Sequence, residues 1–325
     1  MAKDFMHDIM EQVIEEIVAE EKNKGSSQEK IEEKLSSDTI LKAYKKLIEQ
    51  ASDDSLETIE NMMYEKVLEE RACADMFLAR QNQKWGKAFV TSDMLYLCVL
   101  ESAELYTEYV KELYGQKASQ LFHALRYIHG RALQIYLEIT CLNKNGFADG
   151  AYARWRSLYE LSIVSAFIKK NGENVAKAFI KSANTDDRYE WARIAKSFKN
   201  YPSDWNVTFE AIQSRSKLAT KEWRKEYNFV NQLIHASPQG TMYRLGADMS
   251  IGLLVGRSDS GMAISSVHSA ISLVQITTDF FTVYSHGDSI LAVKTFHKWI
   301  EKVTKYYKNV EESEHKEYNL TSYQE

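Results

Sequence analysis

Apolar side chains recur every three or four positions along most of the chain. Phe5, Ile9, Val13 and Ile17 line one face of the stretch 4–22, with charged residues opposite. That period is the mark of an amphipathic helix. Gly25-Ser26-Ser27 should end it, and a second helix is expected over 27–50. The run Ala51-Ser52-Asp53-Asp54-Ser55 reads as a turn with capping residues, followed by a third helix over 55–84. Thr91-Ser92-Asp93 reads as the cap of an apolar helix that continues to Tyr114. Further helices are expected over 117–142, 150–170, 173–199, 205–216, 219–235, 262–284 and 288–308. Asp149 is the expected N-cap of the 150–170 helix, and Tyr201-Pro202-Ser203-Asp204 the break after 199.

One stretch has a different character. Residues 236–261 hold five glycines and one of the two prolines. Met242–Leu245 and Ile251–Val255 are short apolar runs that can pair as a hairpin near 241–256, or lie in an irregular loop. The expected fold class is therefore all-α: a helical bundle over 90–310, an N-terminal helical arm over 1–85, a polar frayed tail over 311–325, and at most one small β-hairpin.

Composition agrees with the pattern. Two prolines and 13 glycines in 325 residues are too few for the turns of a sandwich or barrel. Aromatics at 12% supply enough to bury and argue against disorder. The net charge of −5 conceals an asymmetry. Residues 1–70 carry 19 acidic and 9 basic side chains, net −10, and the remainder 27 and 32, net +5. The acidic arm suits docking on a protein partner or a second copy, and its short heptad-like stripes suit helix packing between chains. The mild positive balance of the body leaves RNA as a possible partner without establishing it. A homo-oligomer is expected.

The three cysteines, Cys73, Cys98 and Cys141, lack metal-ligand or disulfide spacing, which suits buried thiols in a reducing cytoplasm. No zinc spacing occurs among the eight histidines, so no metal is expected. The first residues, MAKDFMHDIMEQVIEEI, are interrupted by acids and do not read as a signal peptide. The most apolar late stretch, Met262–Tyr284, contains His268 and Asp279, so a buried core helix is expected rather than a membrane span. No P-loop, dinucleotide fingerprint or zinc-protease motif is present, and no cofactor is expected.

Two constellations carry candidate chemistry. In AYARWRSLYELSIVSAFIKK (151–170), Arg156 and Glu160 stand one turn apart inside an almost wholly apolar coat. A buried Arg–Glu pair is costly, so it is either satisfied by neighbours or used. In NQLIHASP (231–238), His235 ends a helix because Pro238 disfavours helix at Ser237. A histidine there is a candidate acid–base group, or a cap for orphan carbonyls. Trp155, Tyr159 and His235 are candidates to line a small-ligand pocket, with Asn231 and Ser237 as further binding candidates.

The layout Arg156-x-x-x-Glu160, followed by Asn231-x-x-x-His235-Ala236-Ser237, resembles an all-helical bacterial domain family of unknown function over roughly residues 90–300. A weaker resemblance is to the HEPN superfamily of helical bundles, many of them dimeric, metal-independent ribonucleases of toxin and phage-defence systems. That resemblance implies His235 as acid–base group, Arg156 as phosphate stabiliser and Glu160 as the group that orients one of them. The sequence departs from the HEPN signature, which places an arginine four to six residues before the histidine. Here those positions hold Asn231, Val230 and Phe229. The alternative is a non-catalytic helical module that senses or scaffolds.

Overall fold

The computed structural model describes residues 5–35, 37–202, 204–216, 218, 221–235, 238–242, 244–245 and 255–321. Among these the chain is all-α, without a strand. It divides into two compact units, Met1–Asp75 and Met76–Glu325.

The first unit contains α1 (Phe5–Asn23), α2 (Gln28–Lys34) and the beginning of α3 (Ser37–Tyr114). Gly25 takes a φ of 69° in the turn after α1, a left-handed conformation that suits glycine. Glu21 accepts hydrogen bonds from Lys34 Nζ at 2.7 Å and Ser26 Oγ at 2.8 Å, which ties α2 back to α1. Those two bonds hold its carboxyl down to about 2.

The second helix ends earlier than expected, at Lys34, and α3 then runs unbroken through 51–55 and 91–93. The expected turn and cap are absent for a physical reason. Over 37–114 the only helix breaker is Gly86, and serine, threonine or aspartate in a helix interior costs only about 0.5 kcal/mol each. The hydroxyls also find partners inside the helix. Thr58 Oγ1 donates to the Asp54 carbonyl at 2.8 Å and Thr91 Oγ1 to that of Ala88 at 2.7 Å.

The second unit is a bundle built from residues 76–114 of α3 with α4 (Gln120–Lys144), α5 (Ala148–Asn171), α10 (Met262–Phe281) and α11 (Gly287–Thr321). Ser119 caps α4 by accepting from Phe122 N at 3.1 Å. A tight turn at Gly146, φ 80°, folds α5 back onto α4. Asp149 is not the cap of α5, which opens at Ala148; its Oδ1 accepts from Leu245 N at 2.9 Å instead.

Hydrogen bonds fix the helix directions. His129 meets Thr277 at 3.1 Å and Asn143 meets Ser266 at 2.8 Å, so α4 and α10 are antiparallel. The Tyr152 ring lies 5.9 Å from that of His268, tilted by 43°, and Trp155 donates to Ser272 at 3.1 Å, so α5 and α10 are parallel. Burial pushes His129 down to about 3, so it is a neutral core histidine. The apolar helix α10 is buried among its neighbours, and its hydroxyls bond back to its own carbonyls, as Thr277 does to Leu273 at 2.8 Å.

The single helix expected over 173–199 does not form. α6 (Glu173–Lys181) stops, and the chain continues as short 3₁₀ turns over Ser182–Asn184, Glu190–Ile194 and Lys196–Phe198. The turn formers Asn184-Thr185-Asp186-Asp187 lie between them. α7 (Phe209–Gln213) is shorter than the expected 205–216, α8 (Lys221–Ile234) packs on α5, and α9 (Pro238–Met242) is helical where the hairpin was expected to start. Most of that stretch, 246–254, lies outside the described residues. α11 continues to Thr321, so the tail is helical over 311–321. Cys73 and Cys141 are exposed rather than buried, and all three thiols are free.

Candidate functional site

Arg156 and Glu160 lie one turn apart on α5, and the fold brings them into contact. Arg156 Nε is 3.2 Å from Glu160 Oε1. The apolar coat around them is incomplete, because their side chains keep 31% and 18% of their exposure. Two groups invisible to the spacing argument complete the cluster. Tyr227, on α8, donates its hydroxyl to Glu160 Oε1 at 2.8 Å. The Tyr227 hydroxyl oxygen in turn accepts from Arg156 Nε and Nη2, both at 3.3 Å. Arg188, from the turns after α6, places Nη2 at 3.7 Å from Glu160 Oε2 and is itself 73% exposed.

Rings frame the cluster. The Arg156 guanidinium stands 5.4 Å from the centre of the Tyr227 ring. Tyr227 packs on Tyr159 at 5.4 Å and on Phe209 at 5.5 Å, and Phe209 meets Tyr189 at 6.2 Å. Burial and the bond to Glu160 push the Tyr227 phenol up to about 12, so it is a fixed donor at neutral pH. One residue before it, Glu226 accepts from Tyr152 Oη at 2.7 Å. Two polar ties thus fasten α8 to α5.

The other candidates are placed elsewhere. His235 is exposed just past the end of α8, and among the described residues neither a hydrogen bond nor an ion pair joins it to Arg156 or Glu160. It follows Tyr227 by two turns, a distance of roughly 12 Å along the axis at 1.5 Å per residue. Trp155 is completely buried and Tyr159 is 2% exposed, so neither ring is open to solvent. Trp155 sits among Tyr152, Trp223 and His268, and Tyr159 Oη accepts from Gln213 Nε2 at 3.2 Å. Asn231 is half-buried, and its Oδ1 has no hydrogen-bond partner among the described residues. Ser237 lies outside the described residues.

A nucleophile–base pair would need heavy atoms about 2.6–3.2 Å apart. The cluster instead offers two cations, one carboxylate and one phenol, already bonded to one another. Among the described residues no group of three or more metal-ligating side chains converges, and no helix is long and apolar enough to cross a membrane.

Tyr227 left a faint trace in the sequence, because Trp223, Tyr227, Val230 and Ile234 form the apolar stripe of α8. Arg188 left none, since it lies in a stretch whose periodicity reads as helix. Comparison with curated proteins and with solved structures finds no match. Residues 122–250, which include Arg156, Glu160, Tyr227 and His235, match the model of DUF5677, a family of unknown function.

Proposed function

We propose that the chain is a non-catalytic helical module that senses or scaffolds by binding a protein partner or a small ligand, with Arg156, Glu160 and Tyr227 as its internal clamp. The supporting observation is the separation of the three groups that catalysis would need. Metal-independent RNA cleavage requires a base, an acid and a cation around one phosphate. Here the cation and the carboxylate satisfy each other, and the histidine stands two turns further along α8 than the residue that reaches them.

The test is cleavage of total RNA and tRNA by purified protein in EDTA, beside Arg156→Ala. This reading expects no cleavage above background from either. Cleavage by the wild type that Arg156→Ala abolishes, with helical circular dichroism retained, overturns it.

One observation favours a second reading, a HEPN-like RNA-cleaving effector of a toxin or phage-defence system. Arg156 and Arg188 direct two guanidiniums at one carboxylate on a rim that solvent reaches. A phosphodiester exchanging with Glu160 would find both, and paired guanidiniums are strong phosphate binders. The same assay decides between the readings.

A further inference from the structure

Within the first unit, residues 52–73 of α3 are exposed at every position. They are not a polar spacer. Leu56, Ile59, Met63 and Val67 follow one another at steps of three and four and form a stripe, and their exposures run from 49% to 58%. Tyr64 and Leu68 extend it, at 76% and 46%. Most of a helix's stability in a protein comes from packing its apolar face, and an exposed apolar patch of this kind marks a contact surface.

Charge restricts what can cover it. The same stretch carries seven acidic and two basic side chains, net −5. Two copies of it laid side by side would set acids against acids, which is unfavourable whether they run parallel or antiparallel. The partner must therefore be a helix with a row of cations. The second unit presents one. Lys294, Lys298, Lys302 and Lys305 of α11 follow at steps of four, four and three, and all are exposed. None of them is in an ion pair with another described residue, and neither is Glu57 or Glu60. Over 290–309 the helix carries five lysines and one glutamate. At 1.5 Å per residue the acidic stretch is about 33 Å long and this part of α11 about 30 Å. Lysine stems are four methylenes long and can lie over Ile59 and Met63 while their ammonium groups reach Asp53, Glu57 and Glu60.

We propose that the acidic stretch 52–73 of one copy docks on the lysine ridge of α11 in a second copy, so that the protein self-associates through unlike charged helices. This goes beyond the function proposed above and holds under either reading of it. The test uses the full chain and reads mass by sedimentation velocity over a range of concentrations at low and high salt. Three variants accompany the wild type: Glu57→Lys with Glu60→Lys, Lys298→Glu with Lys302→Glu, and all four together. The sites are exposed, so circular dichroism should be unchanged in each.

The expected result is a wild-type dimer or larger species that salt weakens. Either charge reversal should raise the dissociation constant about tenfold or more, and combining the two should restore association. A monomeric wild type at all concentrations overturns the proposal. So does an oligomer indifferent to both reversals. Weakening by each reversal without rescue in the combined variant overturns the pairing with α11.

Discussion

Replacing Tyr227 with phenylalanine removes one oxygen atom and leaves the ring packed on Tyr159 and Phe209. That oxygen donates to Glu160 and accepts twice from Arg156. A hydrogen bond to a charged partner contributes about 1.5–3 kcal/mol, and the range applies to groups well shielded from water. Arg156 retains 31% of its exposure and keeps its direct contact with Glu160 at 3.2 Å, so water and the ion pair recover part of the loss. The net cost should be about 1–2 kcal/mol. For a body of this size that lowers the melting temperature by roughly 2–8 °C, at about 2–4 °C per kcal/mol. Urea unfolding followed by tryptophan emission measures it, because Trp155 and Trp223 lie beside this cluster. Glu160→Gln, which keeps an acceptor but removes the charge, should fall in the same range. Unfolding free energies within about 0.3 kcal/mol of wild type for both variants would show that the cluster contributes nothing, and the clamp assignment would fail.

Three further outcomes follow from single sites. Burial raises the Asp279 carboxyl from 3.8 to about 6, against the opposing effects of Ser165 and Lys169. The folded state therefore binds the proton more tightly, so this group costs nothing below about pH 4, and stability falls as pH rises to about 6 and is level above it; the displacement corresponds to roughly 3 kcal/mol at most. Urea midpoints from pH 4 to 8 should show that decline, and Asp279→Asn should abolish it. Gly146→Ala combines a φ of 80° with a Cβ only 2.6 Å from Phe77 Cζ and 2.8 Å from the Ser258 carbonyl, so it should destabilise by about 2–4 kcal/mol in the same assay. His235→Ala alters an exposed side chain and should change the unfolding free energy by less than about 0.5 kcal/mol, while a larger loss would place the imidazole in a contact the fold does not give it.

The helical class was legible because it follows from what is missing, namely proline and glycine, and from period. The contact between Arg156 and Glu160 was legible for a similar reason: on any helix a four-residue spacing makes neighbours. Failures cluster where a residue has two local uses. Ser52, Asp53 and Ser55 can cap a helix or sit inside one, and with neither glycine nor proline nearby α3 simply continues. Asp149 stands where a cap belongs but reaches Leu245, a residue 96 positions away that local pattern cannot reveal. The break after Lys181 was hidden by apolar residues such as Trp191 and Ile194, which stand three apart as on a helix but lie in a 3₁₀ turn.

The same distinction explains why Arg156 contacts Tyr227 and not His235. Sequence spacing fixes how far apart two residues lie on one helix, but not which residue of a second helix faces the first. His235 and Tyr227 occupy the same helix or its end, and residue type alone favoured the histidine as Arg156's counterpart. Packing decides otherwise. The only buried side chains of α8 among those described are Tyr227 and Val230, so these residues set which face of the helix meets α5. Once they are seated, Glu226 falls on Tyr152 and the Tyr227 phenol on Glu160. His235, beyond the last turn, is left in solvent. Trp223 adds a partly buried ring against Trp155 and Tyr159, and the two polar ties hold α8 on α5 alongside these apolar contacts. The cost of a half-buried arginine–glutamate pair then has a structural return: it supplies the acceptor that holds the next helix in register.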